Sequence, residues 1–177
     1  MKKVLQFAGL ISLVLAAVAF ILMLATPAVA VKITDDTSRF VKGSVALFGS
    51  KETTTLDLGI INASTTSVTK PSILALIGFI LLLVGLAIVL LGVILPLLKV
   101  NALEKFAGVL NLVALVCFVL AGVFMFLVVP TFYAANEWDV PKNASIGIGW
   151  VIGGIVAILA GAFAILPAAA AFICKKK

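Results

Sequence analysis

The chain has no histidine, only two cysteines and one tyrosine, and charged side chains make up just 11% of its 177 residues. Each shortage closes off a class of function. Two cysteines cannot build a disulfide scaffold, and without histidine neither a His/Cys zinc site nor a His-based catalytic triad can be assembled. A soluble domain carries about 25% charged and 45–50% apolar residues. Here 64% are hydrophobic and the mean hydropathy is +1.34. These values exclude a water-soluble globular domain and a disordered chain, and leave an integral membrane protein.

What is present are four uncharged runs: Val4–Val31 (28 residues), Pro71–Leu98 (28), Phe106–Asn136 (31) and Asn143–Cys174 (32). About 20 apolar residues in a helix cross the hydrocarbon core, so each run accounts for one crossing and none for two. The backbone must satisfy its own hydrogen bonds in lipid, and the runs are apolar all round, so the runs are read as helices rather than barrel strands. The expected spans are 4–31, 71–98, 106–135 and 145–174. An outer loop 32–70, an inner turn 99–105 and an outer loop 136–144 join them.

Charge sets the orientation. Lys2 and Lys3, the 99–105 turn, and Lys175 to Lys177 carry +2, +1 and +3, the whole formal charge of +6. The loops 32–70 and 137–142 carry +1 and −1 and cancel. The positive-inside rule then puts both termini and the short turn in the cytoplasm, most simply of a cell with the protein in its plasma membrane. Ala28-Val29-Ala30 has the form of a signal-peptide cleavage site, but the apolar stretch before it is too long for a typical signal, so helix 1 is expected to be retained.

The halves of the chain resemble one another. Phe7-Ala8-Gly9-Leu10-Ile11-Ser12-Leu13-Val14 matches Phe106-Ala107-Gly108-Val109-Leu110-Asn111-Leu112-Val113 at an offset of 99. Gly78 and Pro96 of helix 2 match Gly149 and Pro167 of helix 4 at an offset of 71. A two-helix hairpin used twice in the same orientation gives this pattern. Small residues also recur every seven positions: Gly78, Gly85, Gly92; Gly147, Gly154, Gly161; and Ala107, Ala114, Ala121. In lipid, helices associate by close packing at small residues, and a seven-residue repeat holds one seam in a left-handed bundle. These nine are the expected helix-packing positions. They either build the monomer's core or turn one stripe outward to a second copy.

No Asp, Glu, Lys, Arg or His lies within a run, which argues against an ion-coupled transporter, a pump or an intramembrane protease. No catalytic, cofactor-binding or metal-binding residue is expected, and no nucleic acid. The first outer loop is the informative soluble part. Arg39–Phe48 and Thr53–Ile61 are β-prone, with Gly49-Ser50-Lys51-Glu52 as the turn of a hairpin between them, and Thr65–Thr69 as a further strand. A lone hairpin is marginal in water and must pack on something. Its apolar residues Phe40, Val45, Leu47, Phe48, Leu56, Leu58 and Ile60 are therefore the expected contact surface. Asn62 and Asn143 open Asn-Ala-Ser sequons on the expected outer side, and are glycosylation candidates in a host that modifies them.

The resulting fold class is an all-α membrane protein: a left-handed four-helix bundle with a small β-hairpin or sheet in its first outer loop. Four spans, inner termini, a tight inner turn, a larger β-prone first outer loop and a small second one resemble the claudin and peripheral-myelin-protein-type tetraspan layout. That family carries a tryptophan, a Gly-Leu-Trp and a cysteine pair in its first outer loop; this loop has neither Trp nor Cys, and its nearest fragment is Leu58-Gly59-Ile60. The resemblance therefore implies side-by-side assembly through outer loops and assigns no residue a role. The expected function is non-enzymatic: a structural or assembly protein in the lipid bilayer that self-associates or contacts neighbouring membrane proteins. The alternatives are an accessory subunit of a larger membrane complex and a lipid or hydrophobe carrier or channel.

Overall fold

The computed structural model describes residues 2–34, 37–57, 62–97 and 107–174. Among these residues six helices and five strands follow in the order α1 (Lys2–Ala25), β1 (Pro27–Thr34), β2 (Thr37–Lys42), α2 (Gly43–Phe48), β3 (Ser50–Asp57), β4 (Asn62–Thr69), α3 (Ile73–Leu97), α4 (Ala107–Phe126), α5 (Val128–Ala135), β5 (Ala144–Ile146) and α6 (Ile148–Cys174). Four of the helices, α1, α3, α4 and α6, are long and apolar enough to cross a membrane. All the strands gather at one end of them, and a small antiparallel sheet caps the bundle there.

The four long helices form a ring. α1 and α4 sit on opposite corners, and each packs against both α3 and α6. The middle of the bundle is filled by small residues and a few large ones: Ala16 and Ala19 of α1, Leu82 of α3, Phe118 and Ala121 of α4, and Ala157 of α6. Apolar side chains such as Leu83, Val116 and Ile155 point outward, as lipid-facing positions do. A buried polar group joins two neighbours in the ring: Ser12 Oγ of α1 donates to the Ala160 carbonyl of α6 at 2.7 Å. A hydrogen bond of this kind within a membrane bundle is worth about 0.6–2 kcal/mol. A two-fold relation between the halves would exchange the α1–α3 contact with the α4–α6 contact. These differ: α4–α6 is the most extensive contact of the ring and α1–α3 the thinnest. Glycines bring α6 close to α4, whereas the stacked rings of Phe20 and Phe79, 5.3 Å apart, help fill the seam between α1 and α3.

The cap differs from the expected hairpin in four respects, each with a physical cause. First, helix 1 stops at Ala25 rather than near 31, and Pro27–Thr34 is the central strand of a sheet ordered β2-β1-β5. Pro27 disfavours helical geometry in the residue before it, and Val29, Val31 and Ile33 then alternate as a strand requires. Second, Arg39–Phe48 is not one strand. It divides into β2 and the short helix α2. Gly43, Ala46 and Leu47 are buried, an i, i+3, i+4 spacing that only a helix turns to one side.

Third, Gly49 to Glu52 is not a hairpin turn. Gly49 has φ of +74°, a left-handed value that suits glycine, and its amide caps α2 on the Val45 carbonyl at 2.8 Å. Ser50 to Glu52 already belong to β3, which pairs with β4 in a separate two-stranded ribbon. In its register Thr53 stands opposite Thr66 and Thr54 opposite Thr65. Fourth, the second outer loop supplies a strand: β5 pairs with β1, Val29 opposite Ile146 and Val31 opposite Ala144.

The third long run is also interrupted. α4 ends at Phe126 and α5 begins at Val128, across Leu127. Pro130 explains the position: it lacks an amide hydrogen, and its ring collides with the carbonyl four residues back, that of Phe126. Thr131 takes up the slack, its Oγ1 donating to the Leu127 carbonyl at 2.7 Å.

Candidate functional site

The small-residue positions lie inside the chain. A side chain at Gly78 or Gly85 would run into Phe124 or Phe118 of α4, and Gly92 lies over Asn111. Gly154 and Gly161 of α6 lie against Phe126 and Leu115 of α4, and Gly147 against the Pro27 carbonyl. Ala114 and Ala121 are buried, and Ala107 opens α4. α3 and α6 therefore spend their glycine faces on α4 and the start of β1. Of the two alternatives, stripes that build the chain's own core are the one this geometry fits, because the chain's own helices fill the grooves.

The strand cap is anchored to the bundle by its own apolar cluster, in which Met23, Val29, Leu47, Met125, Phe132 and Trp150 are buried together. Tryptophan and tyrosine beside a span commonly sit in an aromatic belt at the membrane interface. Both Trp150 and Tyr133 are buried in this cluster instead, and Trp138 alone is exposed, at 51%. The Trp150 Nε1–H meets no acceptor among the described residues and points toward Gly43. Leaving a buried donor unpaired costs about 1–3 kcal/mol.

Polar contacts tie the two outer loops together. The Lys70 amide donates to Asn136 Oδ1 at 2.7 Å, and Asn136 Nδ2 returns a bond to the Lys70 carbonyl at 3.0 Å. Lys70 Nζ also reaches Glu137 at 2.9 Å. Glu137 is held below the usual carboxylate range by that hydrogen bond and by the lysine's charge. It adopts φ of +58°, a left-handed conformation that costs a non-glycine residue roughly 1–2 kcal/mol. Beneath this clamp, Ser72, just before α3, and Thr131 of α5 share a hydrogen bond of 2.7 Å.

Between the sheet and the ribbon lies a cleft of about 480 Å³. One wall is Arg39 to Lys42, four consecutive residues of β2. Successive side chains of a strand point to opposite faces, so a cavity touching four in a row opens on the strand's edge. Among the described residues that edge is unpaired, since β2 bonds there to β1 alone. Ser50, Glu52 and Thr69 of the ribbon stand opposite, and Phe132 and Trp138 lie below, their rings 6.2 Å apart. Neither Arg39 nor Lys42 has a carboxylate within ion-pair distance among the described residues.

The expected outer-loop contact residues are dispersed. Phe40 is 62% exposed and lines the cleft, and Val45 lines it as well. Leu47 is wholly buried in the cap's cluster, so it is a packing residue and not a contact surface. Phe48 is exposed, with its ring edge against Phe79 at 5.6 Å. Leu56 lies in β3 opposite Ala63, and Leu58 and Ile60 fall outside the described residues. Asn62 begins β4 opposite Asp57. Asn143 is exposed, its side chain 3.5 Å from the Lys32 carbonyl. The reading from sequence missed Arg39, Lys42 and Trp138. The signal was the run Arg39-Phe40-Val41-Lys42, cations flanking apolar residues on a strand.

Among known proteins, no family model and no curated protein matches this chain. The four candidate spans fit a tetraspan layout, and that layout is the extent of the likeness.

Proposed function

We propose that this chain is an integral membrane protein of the plasma membrane that performs no chemistry and works by assembly. In this reading both termini are cytoplasmic, the cap lies outside the cell, and neighbours are contacted through the cap, as the likeness to the claudin-type layout implies. One observation carries it: the helical body has its small-residue faces covered from within, while the cap presents an unpaired strand edge bearing exposed Phe40. Exposed strand edges invite another chain to pair, and soluble proteins usually block them. The lipid-carrier alternative has less support. The apolar groove on α1, about 210 Å³ and lined by Phe7, Leu10, Ile11, Val14 and Leu15, belongs to a single helix and resembles the surface any span offers lipid.

Native mass spectrometry after mild extraction tests the reading, comparing wild type with Phe40→Asp. Assembly through the cap predicts multiples of the 18.4 kDa chain, or a fixed complex with another protein, that the substitution dissolves. A chain that is monomeric from the start, or an assembly indifferent to Phe40→Asp, would contradict it. A lone chain retaining lipid at fixed stoichiometry would favour the carrier.

A further inference from the structure

The cleft beside β2 has a shape and charge that specify its occupant. Its β2 wall is a free edge, which offers backbone hydrogen bonds to an extended segment but not to a helix. The separation of β2 from the β3–β4 ribbon divides the cap into two sheets, and the cleft occupies that division. Arg39 and Lys42 are both exposed on this wall, and neither has an ion-pair partner among the described residues. Glu52 on the opposite wall reaches neither of them. Phe40 and Trp138 add apolar surface between the charges.

From these features we infer that the cleft is a docking site for an extended, acidic segment of a different membrane or extracellular protein, which adds as a strand to the open edge of β2. Its carboxylates meet Arg39 and Lys42, and an apolar side chain between them rests on Phe40 and Trp138. The charge balance of the cap favours a foreign segment over a second copy: the two outer loops carry +1 and −1, so two copies bring no net attraction. Charge complementarity of this kind selects partners and speeds encounter more than it adds affinity, so the docking should weaken with salt. The inference rests on the proposal that the cap is the assembly surface and names its partner class.

The test uses the full chain in nanodiscs and a short labelled peptide of repeated Glu-Val-Val units, whose glutamates recur every third residue as Arg39 and Lys42 do on β2, with its Lys-Val-Val counterpart as control. Fluorescence anisotropy should show binding of the acidic peptide alone, and hydrogen exchange should show new protection of the β2 amides. Arg39→Glu with Lys42→Glu should weaken the acidic peptide by about tenfold or more and bring the basic one into the cleft. Both positions are exposed, so the fold should survive; Arg39→Gln with Lys42→Gln provides a milder variant that should weaken binding without reversing the preference. Equal binding of both peptides, protection elsewhere than β2, or indifference to charge reversal would overturn the inference. So would failure of the acidic peptide to bind while copies of the chain still assemble through Phe40, a result that would leave the broader reading standing.

Discussion

The helical body and the strand cap are built on opposite terms. In the body, each glycine face meets a partner within the same chain: Gly78 and Gly85 meet α4, as do Gly154 and Gly161 from the other side. What remains outside is apolar and featureless, which suits lipid. In the cap, one face is equally well filled, with Leu47, Phe132 and Trp150 buried against the helix ends. Among the described residues the other face leaves a strand edge open, two cations without an ion pair and Phe40 exposed. The difference indicates where specificity can reside. A surface whose grooves are occupied internally cannot read a neighbour, and a surface with unmatched donors and charges can.

The packed body is disrupted most forcefully where a new side chain meets backbone or a buried ring. A side chain at Gly147 would collide with the Pro27 carbonyl, and at Gly85 with the Phe118 ring. Gly147→Ala leaves only main chain to move, and Gly85→Leu overpacks a ring. Overpacking costs typically 1–3 kcal/mol, and both variants should lie at the upper end or beyond. A fall in thermal midpoint in detergent checks this; an unchanged midpoint with lost association would mean that the stripes face outward after all.

Within the first outer loop, two apolar residues should respond in opposite ways. Leu47→Ala should destabilise by about 2–5 kcal/mol, as deletion of a buried leucine does, whereas Phe40→Ser should change stability by about 0.5 kcal/mol or less and still abolish assembly. Denaturation curves beside native masses separate the two effects. If Phe40→Ser destabilised as much as Leu47→Ala, the division of the cap into a packed face and a reading face would be wrong. Smaller again, Ser12→Ala removes the bond to the Ala160 carbonyl. It should cost about 0.6–2 kcal/mol and leave assembly alone.

The smallest effect is pH-dependent. The folded-state value of Glu137 lies below the ordinary one, so its contribution is fully present above the ordinary carboxylate range and disappears as pH falls through the lower folded value. Both partners are well exposed, so the effect on the midpoint should be slight. Glu137→Gln should remove that acid-side dependence, and a side-chain carboxyl titration by NMR reads it directly. A carboxyl titrating at the ordinary value would mean that the clamp does not form in solution.

The sequence revealed the body more readily than the cap, and the reason is physical. Charge is excluded from hydrocarbon, so runs without it mark the long helices almost by counting. That same count concealed β1, because an uncharged strand beside a span reads as more span. Pro27, with the alternation of Val29, Val31 and Ile33, carried the distinction. Leu47 was misplaced because β-propensity alone cannot tell a strand from one helical turn; the spacing of Gly43, Ala46 and Leu47 could have done so. The cleft was harder to read. It depends on which strands fail to pair, a property of tertiary arrangement that neither Arg39 nor Trp138 reveals alone.

The central claim is that neighbours are read by the cap and not by the helical body. Photo-crosslinking in the native membrane tests it without knowledge of the partner, with a benzophenone amino acid placed at Phe40 in one variant and at Val116 or Ile155 in others. The account predicts protein adducts from position 40 and lipid adducts alone from the helix positions. Protein adducts from Val116 or Ile155, with none from position 40, would contradict it.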